Sequence, residues 1–130
     1  MYELKIRDYC FIAHSLNDKF FGPAQKLHGT TYIVDLILSS ESLNDKNVIV
    51  DIGEATTMLK AVLDKYNYKN LDELEELADK LTTTEFMAER ITEDIYNFIR
   101  KTKDSRSDIK TIKIILKENH IASASFTKEL

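Results

Sequence analysis

The chain has 130 residues and a mass of 15.0 kDa, which suits one domain (residues 1–130) around a single hydrophobic core. Its net charge is -4 and its sequence pI about 5.4, and this acidic balance argues against a nucleic-acid-binding surface. No apolar run approaches the roughly 20 residues that a membrane-spanning helix needs. The N-terminal residues lack the pattern of a secretory signal, so we expect a cytoplasmic protein.

Two local features of the composition have ordinary explanations. The densest basic cluster runs from Arg100 to Arg106 and is interrupted by Asp104, which is typical of a solvated loop rather than a phosphate-binding groove. The only cysteine, Cys10, lies within an apolar segment and cannot form an intrachain disulfide. We interpret it as a core residue rather than a nucleophile.

The N-terminal third of the chain predicts two strands separated by a loop. Tyr2 to His14 alternates apolar positions in the manner of a strand, although Asp8 breaks the pattern. Asn17 to Gln25, which contains Gly22-Pro23, predicts a loop. Thr31 to Ser39 is rich in β-branched and aliphatic residues and predicts the second strand.

The middle of the chain predicts two helices. Asp51 suits an N-cap, and the apolar spacing from Glu54 to Tyr66 is helical. Asn67 to Leu81 fits either a further helical segment or a surface loop. Thr82 to Arg100 is the clearest helix, with a threonine cap before Glu85. Its predicted buried stripe is Met87, Ile91, Ile95 and Phe98.

Two more strands are predicted after the helices, at Ile109 to Lys117 and Ile121 to Phe126. The element order is then ββααββ. This order predicts an α+β fold in which a small, four-stranded antiparallel sheet has both helices on one face.

Several short motifs in these elements match the order and spacing of motifs in a known protein family. Ala13-His14 closes the first strand, and His28-Gly29-Thr30-Thr31-Tyr32 opens the second; Val50-Asp51-Ile52, Thr82-Thr83-Thr84-Glu85 and Glu118 follow. Together they resemble the 6-pyruvoyltetrahydropterin synthase / 6-carboxytetrahydropterin synthase family over nearly the whole chain, although no motif is strong alone. The resemblance implies a T-fold whose subunits join their sheets edge to edge into a barrel, as a homohexamer with ligand pockets between subunits. It also implies a small heterocyclic substrate such as a pterin, and a lyase reaction on dihydroneopterin triphosphate.

The resemblance implies a zinc site at two of the three histidines. In that family, the histidine after the first strand and both histidines of a His-Gly-His motif bind one zinc ion. His14 and His28 match two of these positions, whereas Thr30 replaces the third with a neutral hydroxyl, a poor substitute for imidazole. Two interpretations stay open: His14 and His28 hold zinc, or they line a pocket as polar residues.

Glu118 matches the family's glutamate that anchors the pterin ring. A carboxylate suits this role because it can accept two hydrogen bonds from a guanidine-like N–H pair. If the strand geometry continues past Glu118, His120 points to the same side and faces the same cavity. His120 is then a candidate replacement ligand or catalytic acid-base group, and the alternative is an exposed turn residue.

The resembled family's usual catalytic groups are replaced in this chain. Ala24 occupies the position of the nucleophilic cysteine, and Asn67-Tyr68 occupies that of an Asp-His pair. Tyr68 is a candidate catalytic hydrogen-bond or proton donor, although its unperturbed pKa of about 10 makes it a poor base. The alternative role for Tyr68 is packing. The family's standard mechanism is therefore not expected.

Two functions follow from this combination. The first is a divergent enzyme of the family, a pterin-type carbon-oxygen lyase or a related activity with a non-standard mechanism. The second is a catalytically silent T-fold protein for binding or assembly. Retention of His14 and His28 beside Glu118 favours the enzyme, whereas the silent protein is favoured by the residues at four other family positions, Ala24, Thr30, Asn67 and Tyr68.

Overall fold

A computed structural model of the chain describes residues 1–102 and 108–130. The basic cluster from Arg100 to Arg106 extends past residue 102, so its interpretation as a solvated loop lies largely outside the described residues. Among the described residues, no helix combines the length and the apolar character needed to cross a membrane.

The described chain contains the predicted four long strands and two helices, together with one short strand. In chain order the elements are β1 (Tyr2–His14), β2 (His28–Ser40), α1 (Ile52–Leu63), β3 (Lys69–Asn70), α2 (Thr84–Lys101), β4 (Ile109–Lys117) and β5 (Ser123–Glu129). β1 and β4 have the predicted bounds. β2 begins three residues earlier than predicted, because its pairing with β1 continues to the end of β1.

Within the described residues the sheet has five strands in the order β3-β1-β2-β4-β5, so the prediction of a four-stranded, wholly antiparallel sheet was wrong. The four long strands are antiparallel neighbours, but β3 pairs in parallel with β1. Two hydrogen bonds to Phe11 bring this segment against the edge of β1. The Phe11 N–H donates to the Asn67 side-chain oxygen at 2.8 Å, and the Tyr68 N–H donates to the Phe11 carbonyl at 2.6 Å. A two-residue strand has no periodicity from which it could be predicted.

Both helices cover one face of the sheet, as predicted. α1 contacts β1, and α2 contacts β4 and β5. The strands turn alternate residues toward the helices, and the buried sheet positions on this face are Ile6, Cys10, Ile12, Tyr32, Val34, Leu36, Leu38, Ile112, Ile114 and Leu116. In α2 the predicted Met87, Ile91 and Ile95 are buried, whereas Phe98 is only half-buried and Ile99 enters the core instead.

The helix caps follow the sequence closely. The Asp51 side chain accepts a hydrogen bond from the Glu54 N–H at 3.0 Å, and Thr83 accepts one from Phe86 at 3.1 Å. The ambiguous segment after α1 is neither a helix nor a plain loop. It forms β3 and two short 3-10 turns, Leu71–Glu73 and Glu75–Leu77. The predicted loop before β2 contains a 3-10 segment, Lys19–Gln25.

The sheet face opposite the helices is organised around Asp35 of β2, whose side chain is fully buried. Arg7 donates to both carboxylate oxygens, at 2.7 Å and 3.0 Å, and the ammonium groups of Lys5 and Lys117 lie 3.2 Å and 3.8 Å from the carboxylate. The hydrogen bonds from Arg7 lower the pKa of Asp35 despite its burial. These contacts connect β1, β2 and β4 on the uncovered face.

Replacing Asp35 with Asn should destabilise the protein by roughly 1–3 kcal/mol at neutral pH, because three cations lose their buried partner. This cost is smaller than that of breaking a fully buried ion pair, because the three cations are partly exposed to solvent. Asp35 has a lowered folded pKa, so its stabilisation is present above its unfolded pKa of about 3.9 and is lost as the pH falls through the folded pKa.

Urea unfolding of wild type and Asp35→Asn from neutral pH to about pH 3 checks this. The two free energies of unfolding should converge toward the acid end. The matched control is Asp45→Asn at an exposed turn position, which should stay close to wild type. A pH-independent gap between wild type and Asp35→Asn would contradict the ion-pair explanation.

Candidate functional site

The candidate site begins with two histidines that the β1–β2 pairing places side by side. His14 is the last residue of β1, His28 is the first residue of β2, and the two are directly opposite in the register. Their ring centroids are 4.7 Å apart, with an edge-to-face interplanar angle of 63°. His14 is buried and His28 is half-buried. Strand alternation puts both on the helix-covered side of the sheet.

Hydrogen bonds at Nδ1 orient both histidine rings and, for His28, determine which ring nitrogen carries the hydrogen. His28 Nδ1 lies 2.8 Å from the Lys26 carbonyl oxygen, which can only accept, so Nδ1 carries the hydrogen. His28 Nε2 therefore has a lone pair in the neutral ring. His14 Nδ1 is hydrogen-bonded to the Thr82 hydroxyl at 2.9 Å. Burial lowers the pKa of His14, and His28 lowers it further, so His14 is predominantly neutral at neutral pH.

Glu118 lies one residue beyond β4 and continues the helix-facing alternation of Ile114 and Leu116. Glu118 is exposed, yet its negative charge acts on two buried groups. It partly opposes the lowering of the His14 pKa by burial, and it adds to the raising of the Tyr32 pKa. The three groups therefore interact electrostatically. The structure thus brings His14, His28 and Glu118 to the same side of one end of the sheet.

The donor set at this end of the sheet does not complete a zinc centre. Thr30 is half-buried and follows His28 by two residues, so it occupies the helix-facing side between His28 and Tyr32. Within residues 1–102 and 108–130, no group of three or more His, Cys, Asp or Glu side chains is placed to hold a metal ion. Two imidazoles and a neutral hydroxyl do not fit the three charged or imidazole ligands of a typical catalytic zinc.

His120 is not brought together with His14 and His28 within one chain. It is exposed and lines a groove of about 410 Å3 with Arg7, Ile33 and Lys117, which belong to the uncovered face of the sheet. The expected alternation does not reach His120, because strand pairing ends at Lys117 and the chain turns at Asn119. The Asn119 side chain then accepts hydrogen bonds from the N–H groups of Ile121 and Ala122 at 2.9 Å and 3.0 Å and closes a turn.

Tyr68 also lies away from the histidine pair in the single chain. Its side chain is exposed, its φ is 60°, and its ring stacks on Phe11 with centroids 5.3 Å apart. Phe11 alternates with the core residues of β1 and therefore faces away from the helices. Asn67 binds the backbone of Phe11, so the Asn67-Tyr68 pair supports the edge of β1.

Sequence reasoning missed two side chains of this site. The sequence predicts that Thr82 begins a helix, but the Thr82 side chain is buried and contacts His14. Tyr32 lies in the same alternating series as His28 and Thr30, and its ring is buried. The alternation was a usable signal for the position of Tyr32, whereas the Thr82 contact joins residues 68 positions apart and leaves no local signal.

Replacing Thr30 with His should create a three-histidine zinc site, because position 30 shares the helix-facing side with His14 and His28. We expect about one zinc per chain and a zinc-dependent rise in Tm, equivalent to roughly 2.7 kcal/mol when free zinc is 100 times the Kd. Elemental analysis and thermal melts with and without zinc measure this. Thr31→His, on the other side of β2, is the matched control and should gain nothing. Equal zinc contents in Thr30→His and wild type would contradict the convergence of His14 and His28 on this position.

Comparison with known proteins agrees with this architecture. The model of the family described as 6-pyruvoyl tetrahydropterin synthase matches residues 3–129. A 6-carboxy-5,6,7,8-tetrahydropterin synthase from Aquifex aeolicus (strain VF5) is 22% identical, with 79% of this chain and 75% of that protein covered.

Solved structures show the same fold. The 6-pyruvoyl tetrahydropterin synthase of Caenorhabditis elegans is 20% identical with a TM-score of 0.81, covering 99% of this chain and 95% of that one. The enzyme of the same name from Plasmodium falciparum is 18% identical, also with a TM-score of 0.81, covering 99% and 98%. The expected T-fold is confirmed by these matches. Because the family model spans almost the entire sequence, the chain belongs to the 6-pyruvoyl tetrahydropterin synthase family.

Proposed function

We propose that this protein binds a pterin or a related purine-like heterocycle at the end of the sheet formed by His14, His28 and Glu118, and acts on its side chain as a lyase with a non-standard mechanism. The observation that carries the proposal is that β1 and β2 place His14 opposite His28, with ring centroids 4.7 Å apart, near enough to Glu118 for its charge to act on the pKa of His14. Family membership and the name of the Aquifex aeolicus relative support a pterin as the ligand class.

Glu118 is proposed to anchor the heterocycle. Its carboxylate is exposed at the end of β4, where a flat ring can approach it. A carboxylate can accept hydrogen bonds from two neighbouring N–H groups, which matches the amino-pyrimidinone edge of a pterin. The anchor orients the ring so that its side chain points toward the histidine pair.

His14 and His28 are proposed to move protons on the side chain of the bound ligand. The lowered pKa of His14 keeps its ring neutral near pH 7, the form that can accept a proton. The Thr82 hydroxyl holds His14 Nδ1, and the Lys26 carbonyl holds His28 Nδ1, so both rings have a fixed orientation. Because the donor set among the described residues is incomplete for zinc, His14 and His28 act without a metal ion.

The second candidate function is a catalytically silent T-fold protein for binding or assembly. Ala24 and Asn67 cannot transfer a proton, and this specific loss favours the silent protein. Turnover discriminates between the two. A silent protein binds a heterocycle without converting it, whereas the enzyme converts dihydroneopterin triphosphate or a related pterin and loses that activity in His14→Ala.

A homo-oligomer, most simply a hexamer, is proposed as the working form. The sheet ends in the two edge strands β3 and β5, whose outer backbone groups can pair with another copy. Tyr9, Phe11 and Tyr68 are also exposed on or beside the uncovered face. In such an assembly, catalytic roles for Tyr68 and His120 require that they reach the histidine pair of a neighbouring copy.

Light scattering should therefore give a mass near six times 15.0 kDa. Pairing of β5 or β3 with a neighbour buries the edge, so a proline at Ser125 in β5 should weaken the assembly because proline cannot donate a ladder hydrogen bond. The control is Ser42→Pro, outside the strands. A wild-type protein that stays at 15.0 kDa across concentrations would refute the assembly.

Glu118→Gln tests the anchor, because it preserves shape but turns one acceptor into a donor. Binding of a pterin that the wild type binds should weaken by roughly 2–4 kcal/mol. Isothermal titration measures the affinity, and Glu129→Gln near the C-terminus, at an exposed position of β5, is the matched control. Equal affinity of Glu118→Gln and wild type would remove Glu118 from the site.

A further inference from the structure

The hydroxyl of Tyr32 is a buried polar group without a partner. Tyr32 is 1% exposed, and its hydroxyl oxygen has no hydrogen-bond partner among the residues that the structure describes. Leaving such a group unpaired destabilises the folded state, and native proteins usually avoid it. A phenylalanine would fill the same space without this cost. The hydroxyl therefore needs a role other than stabilising the fold of the single chain.

The sheet register places Tyr32 beside the proposed anchor. Tyr32 is opposite Cys10 on β1, and the last pair between β2 and β4 is Ile33 with Lys117. The next pair in that register would be Tyr32 with Glu118, which lies just past the end of β4. Tyr32 lies two residues before Val34 in the buried series of β2, and Glu118 lies two residues after Leu116 in that of β4, so both continue the helix-facing side of the sheet.

The electrostatic environment keeps Tyr32 a hydrogen-bond donor. Burial raises the pKa of Tyr32, and the negative charge of Glu118 raises it further. The hydroxyl therefore stays protonated at any physiological pH. Within reach of an acidic group, a protonated phenol is suited to donating to a carboxylate oxygen.

We propose that Tyr32 is a positioning residue, whose hydroxyl donates a hydrogen bond to the Glu118 carboxylate when a pterin is bound. This inference rests on the proposed role of Glu118 as the anchor. In the free protein, Glu118 is exposed beyond the strand end and is not hydrogen-bonded to Tyr32. A carboxylate has about four lone-pair sites, so it can accept two N–H groups from the ring and one O–H from Tyr32.

The proposal explains why a hydroxyl is kept where it does not help folding. The unpaired group lowers the stability of the free protein, and ligand binding supplies the missing partner by ordering Glu118. The Tyr32 contact would then stabilise the bound state selectively. A purely structural tyrosine would show the opposite pattern, with an effect on folding and none on binding.

Tyr32→Phe removes only the hydroxyl. The Tm of the free variant should equal or exceed that of the wild type, while its Kd for pterin, followed by the ligand's fluorescence, should rise about tenfold. Tyr66→Phe is the matched control, since Tyr66 is equally buried but its hydroxyl donates to Asp94. This control should lower the Tm and leave the Kd for pterin unchanged.

A double-mutant cycle with Glu118→Ala separates this inference from the proposed function. In the Glu118→Ala background, Tyr32→Phe should change the Kd by less than about twofold, because its acceptor is already gone. Three results would each overturn the role of Tyr32. These are additive losses of pterin affinity in the double variant, an unchanged Kd in Tyr32→Phe, and a fall in Tm like that of Tyr66→Phe. If Tyr32→Phe alone binds like the wild type while Glu118→Gln binds weakly, the anchor stands and only this inference fails. If wild type does not bind pterin at all, the proposed function fails, and this inference fails with it.

Discussion

The candidate site depends on the pairing of β1 with β2. The ladder runs without a shift from Tyr2 opposite Ser40 to His14 opposite His28, and it alone puts the two histidines side by side. A slip of one residue would turn every side chain of one strand to the other face, separating the histidines and exposing the core positions. The apolar residues buried under the helices therefore enforce the register that builds the site. Packing at the centre of the sheet and the geometry at its end are consequences of the same alternation.

The sheet also divides the polar groups of the chain between two faces. The helix-covered side carries the histidine pair and Tyr32 at its end, whereas the uncovered side carries Asp35 with its three cations. Tyr68 and His120 lie with the uncovered side or in the turns beside it. Within one chain, the groups proposed for ligand binding are thus separate from those two candidates. An assembly that pairs sheet edges is the arrangement that would connect them.

Much of the fold could be predicted from the sequence, because it follows from local patterns. β1 and β4 alternate over their full lengths, and Asp51 and Thr83 cap their helices through contacts within three residues. The predictions that failed have a common cause, because side-chain hydrogen bonds add or end an element where the local sequence pattern does not indicate it. Asn67 bonds to Phe11 and adds a strand too short to have a period, and Asn119 closes a turn that ends the alternation before His120. For the candidate site, family resemblance predicted His14, His28 and Glu118. Long-range contacts such as that between His14 and Thr82 required the three-dimensional structure.

The proposed site predicts that a pterin binds beside His14 and His28 and away from His120 of the same chain. The chain has only three histidines, so NMR of protein labelled with 15N in the histidine rings can follow each one separately. His14→Gln, His28→Gln and His120→Gln variants assign the signals. Addition of pterin should shift the ring nitrogens of His14 and His28, and in the Glu118→Gln variant the same shifts should need a higher pterin concentration. Shifts confined to His120, or none at saturating pterin, would show that pterin does not bind at the histidine pair.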